Sequence, residues 1–448
     1  MAQSREQKLL PHHHALVIPC PFQGHVNPAI NLSLKLASNG FIITFVNTQF
    51  IHSQITKAQT TYDDDEEHSD DIFYKARKFG LDIRYITIYD GFPLDFDRNM
   101  NSLPFLQGLI NDFSSHVDQL VGKLVKVDDD VPINCLVADT FFVWPSIIAK
   151  KYGFLHVSFF TEPALVFALY YHLDLLEQNG HFGTHENRKD VVDYIPGITS
   201  IESSDLPSLF QNSVVHQLIY KAFQDVRKAD IIIANTIQNS NPKSSLQFKE
   251  STGSMPLVRL SLWSECDCTQ WLNSKAHGSV PYVSFGSVAL VNKEDILELA
   301  HGLMLSEVNF IWVLRFNILG QDEKNILPVG YEEMVKDRGL IVPWCNQMKV
   351  ISHSSNGGFD IWCGVPLISS PLVTDQLANR KLVVYDWKVG INLRDGESIT
   401  REEVCDKIKY LMNEETSKIF HNTLATNGSS NANFNKFVEE LKMKISLS

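Results

Sequence analysis

A histidine and an aspartate offer the first chemistry in this chain. Pro21-Phe22-Gln23-Gly24-His25-Val26-Asn27-Pro28 follows an apolar run at 15–18, and Asp139 closes another at 133–138. If both runs are strands of one open parallel sheet, both residues stand at its carboxyl edge, where such sheets bind ligands. A carboxylate behind an imidazole fixes its tautomer and raises its basicity. That pair can take a proton from a hydroxyl. A lone loop histidine is more often structural than catalytic, and the residues alone leave the pair with that as its commoner reading. A Ser-His-Asp hydrolase is the competing arrangement. Its nearest nucleophile, Ser287 in Phe285-Gly286-Ser287-Val288, lacks the second glycine of a nucleophile elbow. A dinucleotide fingerprint is disfavoured because its turn would need more glycines than Gly24.

The second half holds a different set. Ser284-Phe285-Gly286-Ser287 ends a run that reads as a strand. Small residues there let a phosphate approach backbone N–H groups and the Ser287 hydroxyl. Trp344, at another strand end, presents a flat face on which a base can stack, and Gln347 can hydrogen-bond a nucleoside. Asp375 and Gln376, after Pro371, start a helix; a carboxylate and an amide there suit the vicinal hydroxyls of a hexose. Taken singly, each has a bland reading as a surface cap or a core tryptophan. Their weight lies in their order, from Trp344-Cys345-Asn346-Gln347 through Gly364-Val365-Pro366 to Asp375-Gln376.

The elements that must position these residues alternate. Strands are predicted at 15–18, 41–46, 83–88, 133–138, 156–160 and 231–234, with helices at 31–38 and 104–125. The rhythm resumes with strands at 282–285, 310–314, 340–342 and 367–368 and helices at 293–305, 376–384 and 402–413. Apolar, β-branched strands separated by helices argue for parallel sheets covered on both faces. The chain is long enough for two or three domains. A polar stretch at 237–262 marks the boundary. Two doubly wound α/β domains facing each other across a cleft are the natural architecture. The net charge of −13 argues against nucleic acid or anionic membrane as the main partner. The acidic run Asp63 to Glu67, with Asp70 and Asp71, lacks a calcium loop's glycine and reads as a solvated loop. Seven cysteines without a spacing framework predict reduced thiols in a cytoplasmic protein. Cys266-x-Cys268 has no second ligand pair nearby for a metal. His12-His13-His14 reads as part of a flexible N-terminus. No signal peptide or apolar spanning run is present. Phe142, Phe159, Phe160, Tyr170 and Tyr171 are candidates to line an acceptor pocket, against an ordinary role in the core.

The stretch from Trp344 to Gln376 resembles the signature box of the plant family 1 UDP-glycosyltransferases, most closely the 86A-type branch. The resemblance covers nearly the whole chain. It implies the GT-B fold, with an acceptor-binding domain at 1–245, a UDP-sugar-binding domain at 246–430 and a C-terminal helix at 431–448 packing back on the first. Gly24-His25-Val26-Asn27-Pro28 and Val137-Ala138-Asp139 match the family's general base and its supporting aspartate. Ser287, Trp344, Gln347, Asp375 and Gln376 match its donor-binding positions. The implied reaction moves a hexose, glucose by the presence of Gln376, from a UDP-sugar to a hydroxyl of a small, largely apolar plant metabolite, with inversion. The protein is expected to be a monomer that uses no cofactor and no metal and does not insert into a membrane.

One departure falls in the box itself. Phe359-Asp360-Ile361-Trp362 runs directly on to Cys363. The box is about eleven residues shorter than the family form, roughly the length of a βα step. The missing part would supply a histidine, an Asn-Ser pair at a helix start and a glutamate that grips the ribose. His353 aligns elsewhere and does not replace that histidine. Residues 253–262 and 416–430 are also short of the family pattern. Pro281 opens a strand, where proline is tolerated. These losses support a second reading, a non-catalytic homologue or a splice or gene-model variant with impaired UDP-sugar binding.

Overall fold

The computed structural model describes residues 13–59, 71–98, 101–126, 131–181, 190–208, 213–235, 261, 263–287, 289–320, 326–358, 366–394, 398–413 and 430–447. Its strands are β1 (His13–Ile18), β2 (Phe41–Thr48), β3 (Ile83–Ile88), β4 (Cys135–Asp139), β5 (Leu155–Phe160), β6 (Val191–Val192), β7 (Ile201–Glu202), β8 (Ile231–Ala234), β9 (Val280–Ser284), β10 (Phe310–Val313), β11 (Gly339–Val342), β12 (Asn356–Gly358), β13 (Leu367–Ser369) and β14 (Gly390–Asn392).

The first sheet has the order β3-β2-β1-β4-β5-β8, with every pair parallel. Its inner strands β1, β4 and β5 are buried from end to end, as expected of strands covered by helices on both faces. The chain winds outward from β1 to β3, then returns beside β1 as β4 and winds the other way. That reversal opens a crevice between the carboxyl ends of β1 and β4.

Three local expectations change. His13 and His14 belong to β1 and are buried; the His14 ring bonds the Val131 carbonyl at 2.9 Å and the Thr44 hydroxyl at 2.8 Å. These partners let the His14 imidazole sit where apolar periodicity would not place it. The helix predicted at 31–38 starts eight residues earlier, at Gln23, and runs to Ser38 with Pro28 inside it. The single helix predicted at 104–125 is two, Ser102–Asn111 and Phe113–Leu124. The break falls at Asn111-Asp112, whose side chains compete for backbone hydrogen bonds and disfavour helix interiors.

The second sheet has the order β11-β10-β9-β12. β12 is three residues long, and its register against β9 shifts opposite Pro281, which has no N–H to give. Among the described residues β13 pairs only with β14. The reason is chain length. Residues 359–366 alone join β12 to β13, fewer than the dozen or so that a parallel crossover needs.

The chain divides into two compact units, one of residues 1–173, 213–262 and 429–448, the other of 174–212 and 263–428. The sequence boundary at 245/246, the acidic run at 63–70 and most of the two shortened stretches at 253–262 and 416–430 lie outside the described residues. Helix Ser430–Leu447 belongs to the first unit. Phe434, Phe437, Val438, Leu441 and Ile445 join the same core as Ala15, Ile30 and Phe41, and Lys444 bonds the Asp230 carbonyl at 2.7 Å.

Candidate active site

β1 ends at Ile18, and the chain turns through Pro19 to Phe22 into the first helix. His25 lies in that helix's first turn, its N–H bonded to the Phe22 carbonyl at 2.9 Å. β4 ends on Asp139 itself. The two side chains meet at the switch point: His25 Nδ1 lies 2.8 Å from Asp139 Oδ2, with the imidazole 17% and the carboxylate 1% exposed. Asp139 is held by further donors, the Cys20 N–H at 3.3 Å and the Phe141 N–H at 3.0 Å. Burial, and then the Asp139 charge, push the Cys20 thiol well above its usual range. An ionised carboxylate only accepts, so this contact asks for the proton on Nδ1 and leaves the basic lone pair on Nε2.

Two neighbours of His25 escape the sequence reading. Thr161, just past β5, places its hydroxyl 3.1 Å from Nδ1. Phe141 sets its ring edge-on to the imidazole at 5.6 Å. Phe141 stands two residues after the strand-ending Asp139, so its position was open to inference; Thr161 is reached only by knowing that β5 pairs with β4. Of the residues predicted to line an acceptor pocket, Phe142, Phe159, Phe160 and Tyr170 are buried core. Phe142 packs against Trp144 and Phe113. A Cβ at Gly24 would meet nothing within 4 Å.

In the second unit, Ser284 to Ser287 form the turn after β9. Gly286 has φ +70°, a conformation open to glycine at little cost, and its N–H bonds the Ser284 hydroxyl at 3.2 Å. Ser287 is half-buried there. Trp344 follows β11, half-buried against Trp263 with ring centroids 6.2 Å apart. Its carbonyl accepts the Cys266 N–H at 2.9 Å. Beside it Cys268 and Cys345 are buried thiols, hydrogen-bonded to each other. That contact, and the Tyr282 hydroxyl, draw the Cys345 thiol below its ordinary range against the effect of burial. The described cysteines are free thiols, and no described group of three His, Cys, Asp or Glu residues is placed to hold a metal ion. Gln347 is exposed at the start of helix Gln347–Ile351.

Asp375 and Gln376 open helix Gln376–Lys381. Their side chains face their own loop. Gln376 Oε1 accepts the N–H groups of Leu372 and Val373 at 2.8 and 3.3 Å, and Asp375 accepts from Thr374 and Asn379 at 2.8 and 2.6 Å. This loop and the turn after β9 border one cavity of about 280 Å3. Val283, Phe285, Ile368, Leu393, Val404 and Leu411 are among its walls. It occupies the space between β9 and β13, where the sheet is interrupted. Residues 359–365 of the signature box lie outside the described residues. No described helix is long and apolar enough to cross a membrane.

A family model described as UDP-glucoronosyl and UDP-glucosyl transferase matches residues 209–426. UDP-glycosyltransferase 86A1 of Arabidopsis thaliana is 48% identical over 474 aligned positions, covering 96% of this chain and 95% of the relative. UDP-glycosyltransferase 86A2 of the same plant is 47% identical over 477, covering 98% and 96%. Both alignments are longer than the chain's 448 residues, so the relatives carry internal segments that it lacks. Among solved structures, UDP-glucose: anthocyanidin 3-O-glucosyltransferase in complex with UDP superposes with a TM-score of 0.77 at 23% identity, covering 97% of this chain and 99% of that one. Medicago truncatula UGT71G1 complexed with UDP-glucose gives 0.74 at 22%, covering 96% and 98%. These likenesses show the GT-B fold. With nearly half its residues shared along almost the whole of two such relatives, the chain belongs to the plant family 1 UDP-glycosyltransferases, in the 86A-type branch, and is a UDP-sugar-dependent glycosyltransferase.

Proposed function

We propose that the protein moves glucose from UDP-glucose to a hydroxyl of a small, largely apolar plant metabolite, inverting the anomeric centre. The observation that carries this reading is the 2.8 Å contact between His25 Nδ1 and buried Asp139 at the switch point of the first sheet. His25 Nε2 takes the acceptor's hydroxyl proton. The oxygen then attacks the anomeric carbon, and the bond to UDP breaks with its electron pair leaving on the diphosphate. Asp139 holds the tautomer and stabilises the imidazolium that forms. Trp344 stacks on the uracil, Gln347 bonds the nucleoside, Ser287 and the turn around it meet the diphosphate, and Asp375 and Gln376 read the sugar. The first domain takes the acceptor and the second the donor. A cytoplasmic monomer fits this role, and light scattering of the purified protein tests its oligomeric state.

The test is turnover of UDP-glucose with a panel of phenolic, flavonoid and terpenoid acceptors. His25→Ala abolishes it; a variant as active as the parent overturns the assignment. A second reading, a non-catalytic homologue with impaired UDP-sugar binding, is favoured by the interrupted second sheet and the cavity beside β9. The loss of one electrostatic anchor for a leaving group costs about 10²–10³ in rate. Calorimetry with UDP separates the two, because a chain that binds no UDP takes the second reading.

A further inference from the structure

The loop that carries Asp375 and Gln376 holds a residue in an uncommon conformation. Thr374 has φ +60°, a region that β-branched residues rarely enter. Such a residue persists only where its surroundings over-determine it. Here the surroundings are residues 203–208, far away in sequence and in the same unit. The Thr374 N–H donates to the Ser208 hydroxyl at 2.7 Å, and the Ser208 N–H donates to the Thr374 carbonyl at 3.1 Å. Six residues on, Arg380 pairs with Asp205, a carboxylate 2% exposed.

This strap is itself anchored. The Ser203 N–H bonds the Asp190 carbonyl at 2.9 Å. Asp190 Oδ2 meets His181 Nε2 at 2.9 Å, and Tyr194 Oη meets His181 Nδ1 at 2.7 Å. The β6–β7 pairing, Val191 with Glu202 and Val192 with Ile201, holds the chain just before the strap. A rigid segment thus grips the loop at two points, on either side of Asp375 and Gln376.

We infer that Ser208 and Asp205 are positioning residues for the donor sugar. They act by holding Thr374 in its left-handed conformation, which sets the direction of Asp375 and Gln376. The inference rests on the proposed reading of those two residues as sugar contacts. Neither Ser208 nor Asp205 has to touch the sugar. Ser208 replaces the partner that a regular turn would give the Thr374 N–H, and the Asp205–Arg380 pair fixes where the following helix starts. Without the Ser208 hydroxyl, Thr374 relaxes toward negative φ and both side chains swing with it.

The test compares binding of UDP-glucose with binding of UDP, by calorimetry on the full chain. Ser208→Ala is expected to weaken UDP-glucose about fivefold, the worth of one buried hydrogen bond, and to leave UDP unchanged. Ser208→Thr, which keeps the hydroxyl, restores the parent value. Adding Thr374→Gly to Ser208→Ala recovers part of the loss, because glycine adopts positive φ freely while the Thr374 hydroxyl that bonds Asp375 is given up; a general folding defect would not be repaired at all this way. Asp375→Ala is the control on the underlying reading. If Asp375→Ala weakens UDP-glucose and Ser208→Ala does not, the positioning role is overturned while the donor reading stands. If Asp375→Ala has no effect, or the parent chain binds no UDP-glucose, the donor reading fails and takes this inference with it. Loss of UDP binding in Ser208→Ala would also overturn it, since the strap would then be acting on more than the sugar.

Discussion

In the proposed mechanism Asp139 selects which nitrogen of His25 carries the proton, and that selection is testable apart from the histidine itself. Asp139→Asn keeps the shape but no longer demands a proton on Nδ1. The expected fall in kcat is about 10³-fold or more, measured with UDP-glucose and any acceptor that the parent turns over. A second residue makes a statement about pH. Burial in β5 draws His156 below its ordinary value, against the opposing pull of Asp225 and Asp230. The folded state therefore favours neutral imidazole. The stability it contributes is complete above the unfolded value of about 6.5 and is lost as pH falls below it. Urea midpoints at pH 7.5 and 5.5 should differ less in His156→Asn than in the parent. At this scale the sequence was a good guide to residues that close a strand, because strand ends in a parallel sheet share an edge. His25 and Asp139 were legible in that way. Thr161 and Ser208 were not, because each acts through a contact that only the third dimension supplies.

The elements of the first unit were legible because buried parallel strands read as unbroken apolar runs. Their boundaries were less so. The first helix begins well before the predicted residue 31, and Pro28 is accepted inside it. The second unit shows what a missing crossover does to a sheet whose other parts are in place. Among the described residues β12 has three residues and β13 pairs with β14 only. Amides of Leu367 and Ile368 should accordingly exchange with solvent far faster than those of Leu16 and Val17; equal protection would mean that the second sheet is as stable as the first. The helices beneath are tightly fitted by contrast. A Cβ at Gly302 would lie 2.4 Å from the Val404 Cβ, so Gly302→Ala should cost about 1–3 kcal/mol, read from denaturant unfolding. The sequence showed a box shorter than the family form by roughly the length of a βα step. It gave no hint that the space would stay open as a cavity, since that depends on how far the walls fail to collapse.

Across the whole molecule, the order of the chain and the order of its units do not coincide. The first unit takes residues from both ends, and helix Ser430–Leu447 closes its core. Leu441 is fully buried there. Leu441→Ala should lower stability by about 2–5 kcal/mol in denaturant titrations followed by a probe in the first unit. A result near zero would mean that the helix is only laid on the surface. The same helix has a consequence for synthesis. Ribosomes add about 5–20 residues per second, and domains ordinarily fold in the order in which they emerge. Here the sheet of the first unit is finished at Ala234, yet the side chains that seal it begin at Phe434. For the time needed to make the second unit, on the order of ten seconds or more at those rates, the first unit waits with the apolar patch that Phe434 to Ile445 will cover exposed to the cell. The nascent chain has to be kept from sticking through that interval, so its yield in a cell depends on the last few turns of its last helix.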